Sequence, residues 1–233
     1  MAYTTIDDPT LFFRVKAYSG TGSAASITFD ITDTSMQPDL VWIKNRSTSG
    51  NHGMWDSVRG ATKQIYPNQT YGESTAANSM TAFNSNGFSV GSDGDQNGSG
   101  NSLVAWCWKE STTAGFDIVT YAGDAVAGRN ISHSLGAVPH VMFVKNRTNA
   151  IKWAVYHHKN TSAPETDHLQ LNDNVATSDD DSTWDDTAPT SSVFRVKSST
   201  STNGSSANYI AYLWTEKQGF SKFGSYTGNG SAD

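Results

Sequence analysis

The sequence predicts an all-β protein built from two tandem antiparallel β-sandwich modules. Three observations support this prediction: short alternating apolar stretches, a chain rich in Gly, Ser and Thr with only 16% charged residues, and an internal repeat. Ser and Thr compete with the helical backbone for hydrogen bonds, whereas Thr and aromatic side chains suit strands. Short strands between turn residues, in modules of about 100 residues, are typical of sandwiches.

Four stretches of the first half return in the second half in the same order. The pairs are residues 37–46 with 138–147, 88–90 with 194–196, 97–98 with 203–204, and 104–110 with 210–216. The longest reads QPDLVWIKNR in the first half and VPHVMFVKNR in the second. Matches in one shared order indicate a duplication, and the variable stretches between them behave as loops.

The repeat divides the chain into four parts. We expect an extended anchor at residues 1–16, a first module at 17–112, a second module at 113–218, and a final segment at 219–233. That segment contains a third Tyr-x-Gly motif at Tyr226, after those at Tyr18 and Tyr121. We therefore expect it to begin a third repeat of a longer protein, with a closing strand donated back to the second module as the alternative.

The individual elements follow from periodicity. The continuous apolar run at residues 40–43 predicts a strand that is buried on both faces. Residues 88–90 and 103–107 alternate between apolar and polar or bulky aromatic side chains, and residues 91–101 between them predict a hairpin loop with a type I′ turn at Asn97-Gly98. The best helix candidate, residues 74–83, is short.

Composition and charge exclude several classes of function. A net charge of −6 argues against nucleic-acid binding, which needs a positive surface. No apolar run is long enough to insert into a membrane. The single cysteine, Cys107, excludes an internal disulfide framework, and residues 1–9 do not read as a signal peptide. We expect synthesis in a reducing cytoplasm.

One loop has part of a metal-binding pattern. Asp93, Asp95 and Asn97 match the first half of a calcium loop, and their oxygens are of the kind that calcium prefers. The position that should supply a bidentate Glu is Val104, and the second copy has no carboxylate in this loop. The recurring Asn-Gly pair is explained by the hairpin alone, so these residues remain metal candidates and we predict no cofactor.

No motif indicates catalysis. His157 and His158 are neighbours in a predicted strand, so they point to opposite faces and cannot share a metal. Cys107 alternates with bulky side chains as a core thiol would. No nucleophile elbow, phosphate-binding loop or dinucleotide fingerprint occurs. The sequence therefore predicts a protein that is not an enzyme.

The aromatic residues divide into two groups. Four in the first copy recur as other large aromatics in the second, as core packing predicts: Trp42, Trp55, Trp106 and Trp108 return as Phe143, Tyr156, Tyr212 and Trp214. Trp153 and Trp184 have no aromatic counterpart in the first copy. We expect these two rings to be candidates for exposed positions that cover the apolar face of a sugar.

Several motifs resemble those of large structural proteins of marine tailed phages, especially cyanophage-like podoviruses. They are the opening MAYTTIDDP, the Tyr-x-Gly motif, PDLVWIKNR at 38–46, WDSVRG at 55–60 and VAWCWK at 104–109. The resemblance covers the first copy almost wholly and the second loosely. Where the first copy has Asp56 and Arg59, the second has His157 and Asn160, so a role shared by both modules is in doubt.

The resemblance implies a concanavalin- or lamin-G-like virion component with no catalytic residues. We expect a tail fibre whose residues 1–16 dock onto a tail adaptor, nozzle or capsid protein, as a homo-oligomer and possibly a trimer, made in the host bacterial cytoplasm and located in the virion. The anchoring candidates are Ile6, Pro9, Leu11, Phe12 and Phe13. The alternatives are a capsid decoration or head-fibre protein, and a carbohydrate-binding module for a host surface glycan.

Overall fold

The computed structural model describes residues 4–30 and 34–231, and it confirms the all-β class. The strands are β1 (Phe13–Ser19), β2 (Ala25–Thr28), β3 (Leu40–Asn45), β4 (Gly53–Asp56), β5 (Lys63–Gln64), β6 (Ser74–Thr75), β7 (Met80–Asn84), β8 (Gly87–Val90), β9 (Ser102–Trp108), β10 (Phe116–Ala122), β11 (Arg129–Ser132), β12 (Val141–Asn146), β13 (Ala154–His157), β14 (Asp167–His168), β15 (Ser178–Asp179), β16 (Val193–Val196) and β17 (Asn208–Trp214). The helical elements are α1 (Gly94–Asn97), α2 (Asp181–Trp184) and the 3-10 turns Pro9–Leu11 and Pro164–Thr166.

Each half of the chain forms a four-stranded antiparallel sheet with the same strand order. The order is β1-β9-β3-β4 in the first half and β10-β17-β12-β13 in the second. The registers agree as well, because Phe13 lies opposite Trp108 where Phe116 lies opposite Trp214. We call residues 13–108 the first copy and residues 116–214 the second copy.

A smaller sheet accompanies each large one. It consists of β2-β8-β7 in the first copy and β11-β16 in the second. In the first copy, Ile27 and Phe88 from the small sheet share one buried cluster with Val41 and Leu103 from the large sheet. A corresponding cluster in the second copy joins Ile131 and Phe194 to Val144 and Ala211. Buried and less buried side chains alternate along β9, and Leu103, Ala105 and Cys107 lie in the cluster of the first copy. These three share one face because every second side chain of a strand points the same way.

The predicted hairpin between β8 and β9 is wrong. β8 pairs with β2 and β7, whereas β9 pairs with β1 and β3, so residues 91–101 cross from one sheet to the other. A type I′ turn needs positive φ, but Gly98 has a φ of −55° and follows the helical turn α1. The predicted helix at residues 74–83 is also wrong, since it contains β6 and the start of β7.

At the N-terminal end the first strand overlaps the expected anchor, and at the C-terminal end a turn follows the second copy. β1 begins at Phe13, so the last four residues of the expected anchor belong to the first sheet. At the other end, an isolated bridge joins Lys217 to Ser221, as one joins Ser111 to Phe116 between the copies. Residues 217–223 therefore repeat the connection between the copies, which agrees with the start of a third repeat. That assignment stays a prediction, and residues 1–3 and 232–233 lie outside the described part.

The two large sheets pack against each other through a third buried cluster, which we call the seam. Its members are Leu40, Met54 and Ile65 from the first copy and Phe116, Ile118, Trp153, Ile210 and Tyr212 from the second. Most of these side chains point away from the cores of their own copies, because they alternate with core residues along each strand. Within the described residues, no helix is both long and apolar enough to cross a membrane.

Candidate functional site

The calcium candidates make hydrogen bonds within the chain. Asp93 caps α1, accepting hydrogen bonds from the backbone N–H of Asp95 at 2.8 Å and of Gln96 at 3.2 Å. The amide of buried Asn97 donates to the carbonyls of Ser23 at 2.6 Å and Gly91 at 2.7 Å. Among residues 4–30 and 34–231, no three His, Cys, Asp or Glu side chains form a group that could hold a metal.

The recurring Asn-Gly pair has a structural role in both copies. Asn203 donates to the carbonyl of Lys197 at 2.7 Å, as Asn97 does to that of Gly91. The carbonyl of Gly98, which follows Asn97, lies against Gly20 of the Tyr-x-Gly motif. A Cβ added at Gly20 would lie 2.1 Å from that carbonyl oxygen. The same distance separates a Cβ at Gly123 from the oxygen of Gly204. The two motifs recur together because the backbones that carry them are in contact.

The proposed sugar-stacking residues Trp153 and Trp184 are both buried, so the prediction that they are exposed is wrong. Trp184 is 1% exposed and donates from Nε1 to the carbonyl of Asp167 at 3.0 Å. It reaches the core from α2. Trp153 is 0% exposed, and its Nε1 donates across the seam to the carbonyl of Tyr66 at 3.0 Å.

A buried polar network fixes the seam. The side chain of Arg59 is fully buried, with Nε 2.5 Å from Oδ2 of Asp56. The hydroxyl of Tyr212, in the second copy, donates to the same carboxylate at 2.6 Å. Burial alone would lower the pKa of Arg59, but Tyr212, Asp56 and Glu73 outweigh that effect and raise it above its ordinary value. Arg59 therefore stays charged inside the contact.

Glu73 extends this network to the second copy. Its carboxylate accepts two hydrogen bonds from Arg147. Nε donates to Oε2 at 2.8 Å, and Nη2 donates to Oε1 at 3.2 Å. Burial raises the pKa of Glu73, but the bond from Arg147 and the charge of Arg59 outweigh it, so the net pKa is lowered. Asp56 and Arg59 thus act in the contact between copies, which explains why His157 and Asn160 can replace them in the second copy.

The N-terminal segment before and at the start of β1, residues 4–16, is called the leader. It meets the C-terminal turn at residues 217–223 in an apolar pocket of about 350 Å³. Its lining is mostly aromatic: Phe12, Phe13, Trp108, Lys109, Ala114, Phe116, Trp214, Phe220, Ser221, Lys222 and Phe223. Phe12 packs edge-on against Phe220 with 6.3 Å between the ring centroids. The rings of Phe13 and Trp108 have centroids 5.1 Å apart. The exposed Lys109 and Lys222 place two cations at its rim.

The anchoring candidates differ in their exposure. Ile6 is 5% exposed, so the chain's own fold buries it. Pro9 is exposed, and Leu11, Phe12 and Phe13 are half-buried. A partner that docks on the leader could therefore reach the last four of these residues but not Ile6.

A second open cleft, of about 300 Å³, adjoins the pocket at Trp108 and is lined by Trp42, His52, Trp106 and Trp108. The indole N–H of Trp42 donates to Nδ1 of His52 at 3.0 Å, which fixes the orientation of both rings. Burial and the charge of Lys44 lower the pKa of His52, so the imidazole is neutral at pH 7 and can accept this bond.

The sequence placed Trp42 and Trp106 in a core, but the structure leaves both half-exposed. A signal for this was present. Trp106 stands between Ala105 and Cys107, and both of those side chains are fully buried in the first core. In a strand, the residue between two core residues must point outward.

A family model described as a domain of unknown function, DUF7483, matches residues 8–233. The match covers nearly the whole sequence, and the chain belongs to this family. No curated protein and no solved structure is significantly similar to it. The matched range includes both copies.

Proposed function

We propose that the chain is a non-enzymatic structural protein of a tailed-phage virion, most consistent with the anchor-proximal part of a tail fibre. In this proposal the two copies are tandem jelly-roll or concanavalin-like sandwiches, made in the host cytoplasm and assembled into the particle. The motif resemblance supports the phage context. The seam is the single observation that supports a structural role most strongly.

The seam favours a rigid arrangement of the two copies over two modules joined by a flexible linker. It buries apolar side chains from both large sheets, which stabilises one relative orientation. The fully buried Arg59 needs Asp56, from its own copy, and Tyr212, from the other copy. A buried ion network is costly when a partner is missing, so it penalises other orientations of the two copies. Two copies held in this way form a stiff unit.

The aromatic pocket supports attachment at one end of this unit. Phe12 and Phe13 present apolar surface beside the cations Lys109 and Lys222, and the exposed Pro9 and half-buried Leu11 precede them in the chain. An apolar centre with a charged rim is the arrangement found in protein–protein contacts. A partner with apolar side chains flanked by carboxylates would fit it, and in a virion this partner would be a tail adaptor, nozzle or capsid protein.

The test uses particles of a phage that encodes the chain. Leu11→Asp together with Phe12→Asp should remove the chain from purified particles, as measured by quantitative mass spectrometry. Val126→Asp, at an exposed position far along the sequence in the second copy, is the matched control and should be incorporated normally. Both variants must retain the wild-type circular dichroism spectrum.

Absence of the wild-type chain from the particles would refute the virion assignment. Normal incorporation of the folded leader variant would refute attachment through the leader. A cross-link to the major capsid protein instead of a tail protein would favour the alternative, a capsid decoration or head-fibre protein.

A further inference from the structure

The seam joins two unlike faces of the same repeated unit. The first copy contributes face A, which is defined by Leu40, Asp56, Arg59, Ile65, Tyr66 and Glu73. The second copy contributes face B, which is defined by Ile118, Arg147, Trp153, Ile210 and Tyr212. Each copy has strands equivalent to both faces, so one face B and one face A remain outside the seam.

The unused face B belongs to the first copy and is open. Val15 lies opposite Trp106 where Ile118 lies opposite Tyr212, so the two pairs are equivalent. Val15 is 53% exposed, whereas Ile118 is 6% exposed. The other members of this face, matched by register and repeat to Arg147, Trp153 and Ile210, are Arg46, His52 and Val104, and each is half-buried or exposed. The first copy thus leaves unburied the surface that the second copy buries.

The unused face A belongs to the second copy. Val141 lies opposite His157 where Leu40 lies opposite Asp56. Leu169 bridges Val155 where Ile65 bridges Met54. Val141 is 5% exposed, so this part of the face is already buried within the chain, whereas His157 and Leu169 are half-buried although Asp56 and Ile65 are fully buried. Gln170, which follows Leu169, takes the place of Tyr66.

We propose that a second molecule of this chain seats the face A of its second copy on the open face B of the first copy. The seam within one chain is the template for this contact, so the copies would continue in the same relative arrangement from one molecule to the next. The inference does not depend on a role in a virion. Because the two faces differ, the contact is head-to-tail and generates a ring or a filament.

The charges of the two unused faces are compatible with this occupant. In the seam, Arg147 of face B pairs with Glu73 of face A. On the open face B the equivalent residue is the exposed Arg46. On the free face A, Thr177 replaces Glu73, but the exposed Asp173 and Asp179 flank it in sequence. The contact lacks equivalents of the Asp56–Arg59 pair, so it should be weaker than the seam.

Sedimentation velocity over a concentration series tests whether the open face B of the first copy mediates self-association. The wild-type chain should form species larger than the monomer as its concentration rises. Val15→Lys should weaken this association about tenfold or more, because an ammonium would have to be buried against apolar side chains. Val126→Lys, at a position that is 58% exposed and outside both faces, should associate like the wild type. A wild-type chain that stays monomeric, or a folded Val15→Lys chain that associates normally, would overturn the proposal.

Cross-linking tests the orientation. Across the seam, Trp153 contacts Tyr66, so the proposed contact places His52 of one molecule near Gln170 of the next. Mixed His52→Cys and Gln170→Cys chains should give a heterodimer with a short bis-maleimide, while each variant alone should not. The wild-type chain is the control, since its single cysteine is buried. Cross-linked homodimers of the His52→Cys chain would contradict the proposal. So would a monomeric chain that binds a soluble oligosaccharide saturably at Trp42 and Trp106.

Discussion

Single side chains of this protein matter most where they connect the two copies. Glu73 bonds to Arg147 at 2.8 Å and to Arg59 at 3.2 Å, so one carboxylate joins a buried cation of the first copy to a half-buried cation of the second. Its side chain is 15% exposed. Because two guanidinium groups favour the charged form, the pKa of Glu73 lies below its ordinary value of 4.5.

Glu73→Gln should remove part of the pH dependence of stability at acid pH. A carboxylate whose folded pKa is lowered stabilises the fold above its unfolded pKa, and this contribution is lost as the pH falls through the folded value. The wild type should therefore lose more stability than Glu73→Gln as the pH falls below 4.5. Urea unfolding of both chains at neutral and acid pH measures this difference. Glu165→Gln is the control, and parallel pH profiles for wild type and Glu73→Gln would contradict the assignment.

The sequence pattern predicts the positions of single strands well, but it predicts their pairing and the connections between them less well. Alternation predicted β8 and β9, because it reports which side chains share a face. It does not predict how the two strands pair. Asn97-Gly98 has the sequence of a hairpin turn but lies in a connection that crosses between two sheets. The prediction that Trp153 is an exposed sugar-stacking residue is wrong for a similar reason. Burial of Trp153 depends on Tyr66, a contact between copies that no local pattern contains.

Gly20→Ala should destabilise the first copy by about 1–3 kcal/mol, because the added Cβ would overlap a neighbouring backbone. Its nearest atom would be the carbonyl oxygen of Gly98 at 2.1 Å, where the end of β1 meets the crossing connection. Gly224→Ala is the matched control, since a Cβ there meets nothing within 4 Å. Chemical denaturation measures both. Equal stability of the two variants would show that this close approach does not require glycine.

We expect the whole molecule to behave as one mechanical unit, because the seam buries side chains of each copy against the other. The register makes Ile118 and Val15 equivalent positions, one inside the seam and one on the open face. This pair provides an internal control, because the same substitution can be compared at equivalent positions of β1 and β10 in two environments.

Ile118→Asp should cost about 3–5 kcal/mol, because an unpaired carboxylate would be buried between the sheets. We expect the wild type to unfold in a single thermal transition and the variant to unfold in two, because its copies would unfold independently. Val15→Asp should change stability by less than about 0.5 kcal/mol, since position 15 is exposed in the isolated chain. Differential scanning calorimetry distinguishes these outcomes. A single unshifted transition for Ile118→Asp would mean that the seam does not couple the copies.

We propose that unlike faces of a repeated unit build a rigid structural protein of a virion. A cryo-EM map of particles that carry the chain would locate both the chain and whatever covers its open face B. We expect tail-proximal density in which the seam is intact and the surface around Val15, Trp42 and Trp106 is covered by the second copy of a neighbouring chain. A map without the chain, or one in which this surface faces solvent or an unrelated molecule, would contradict it.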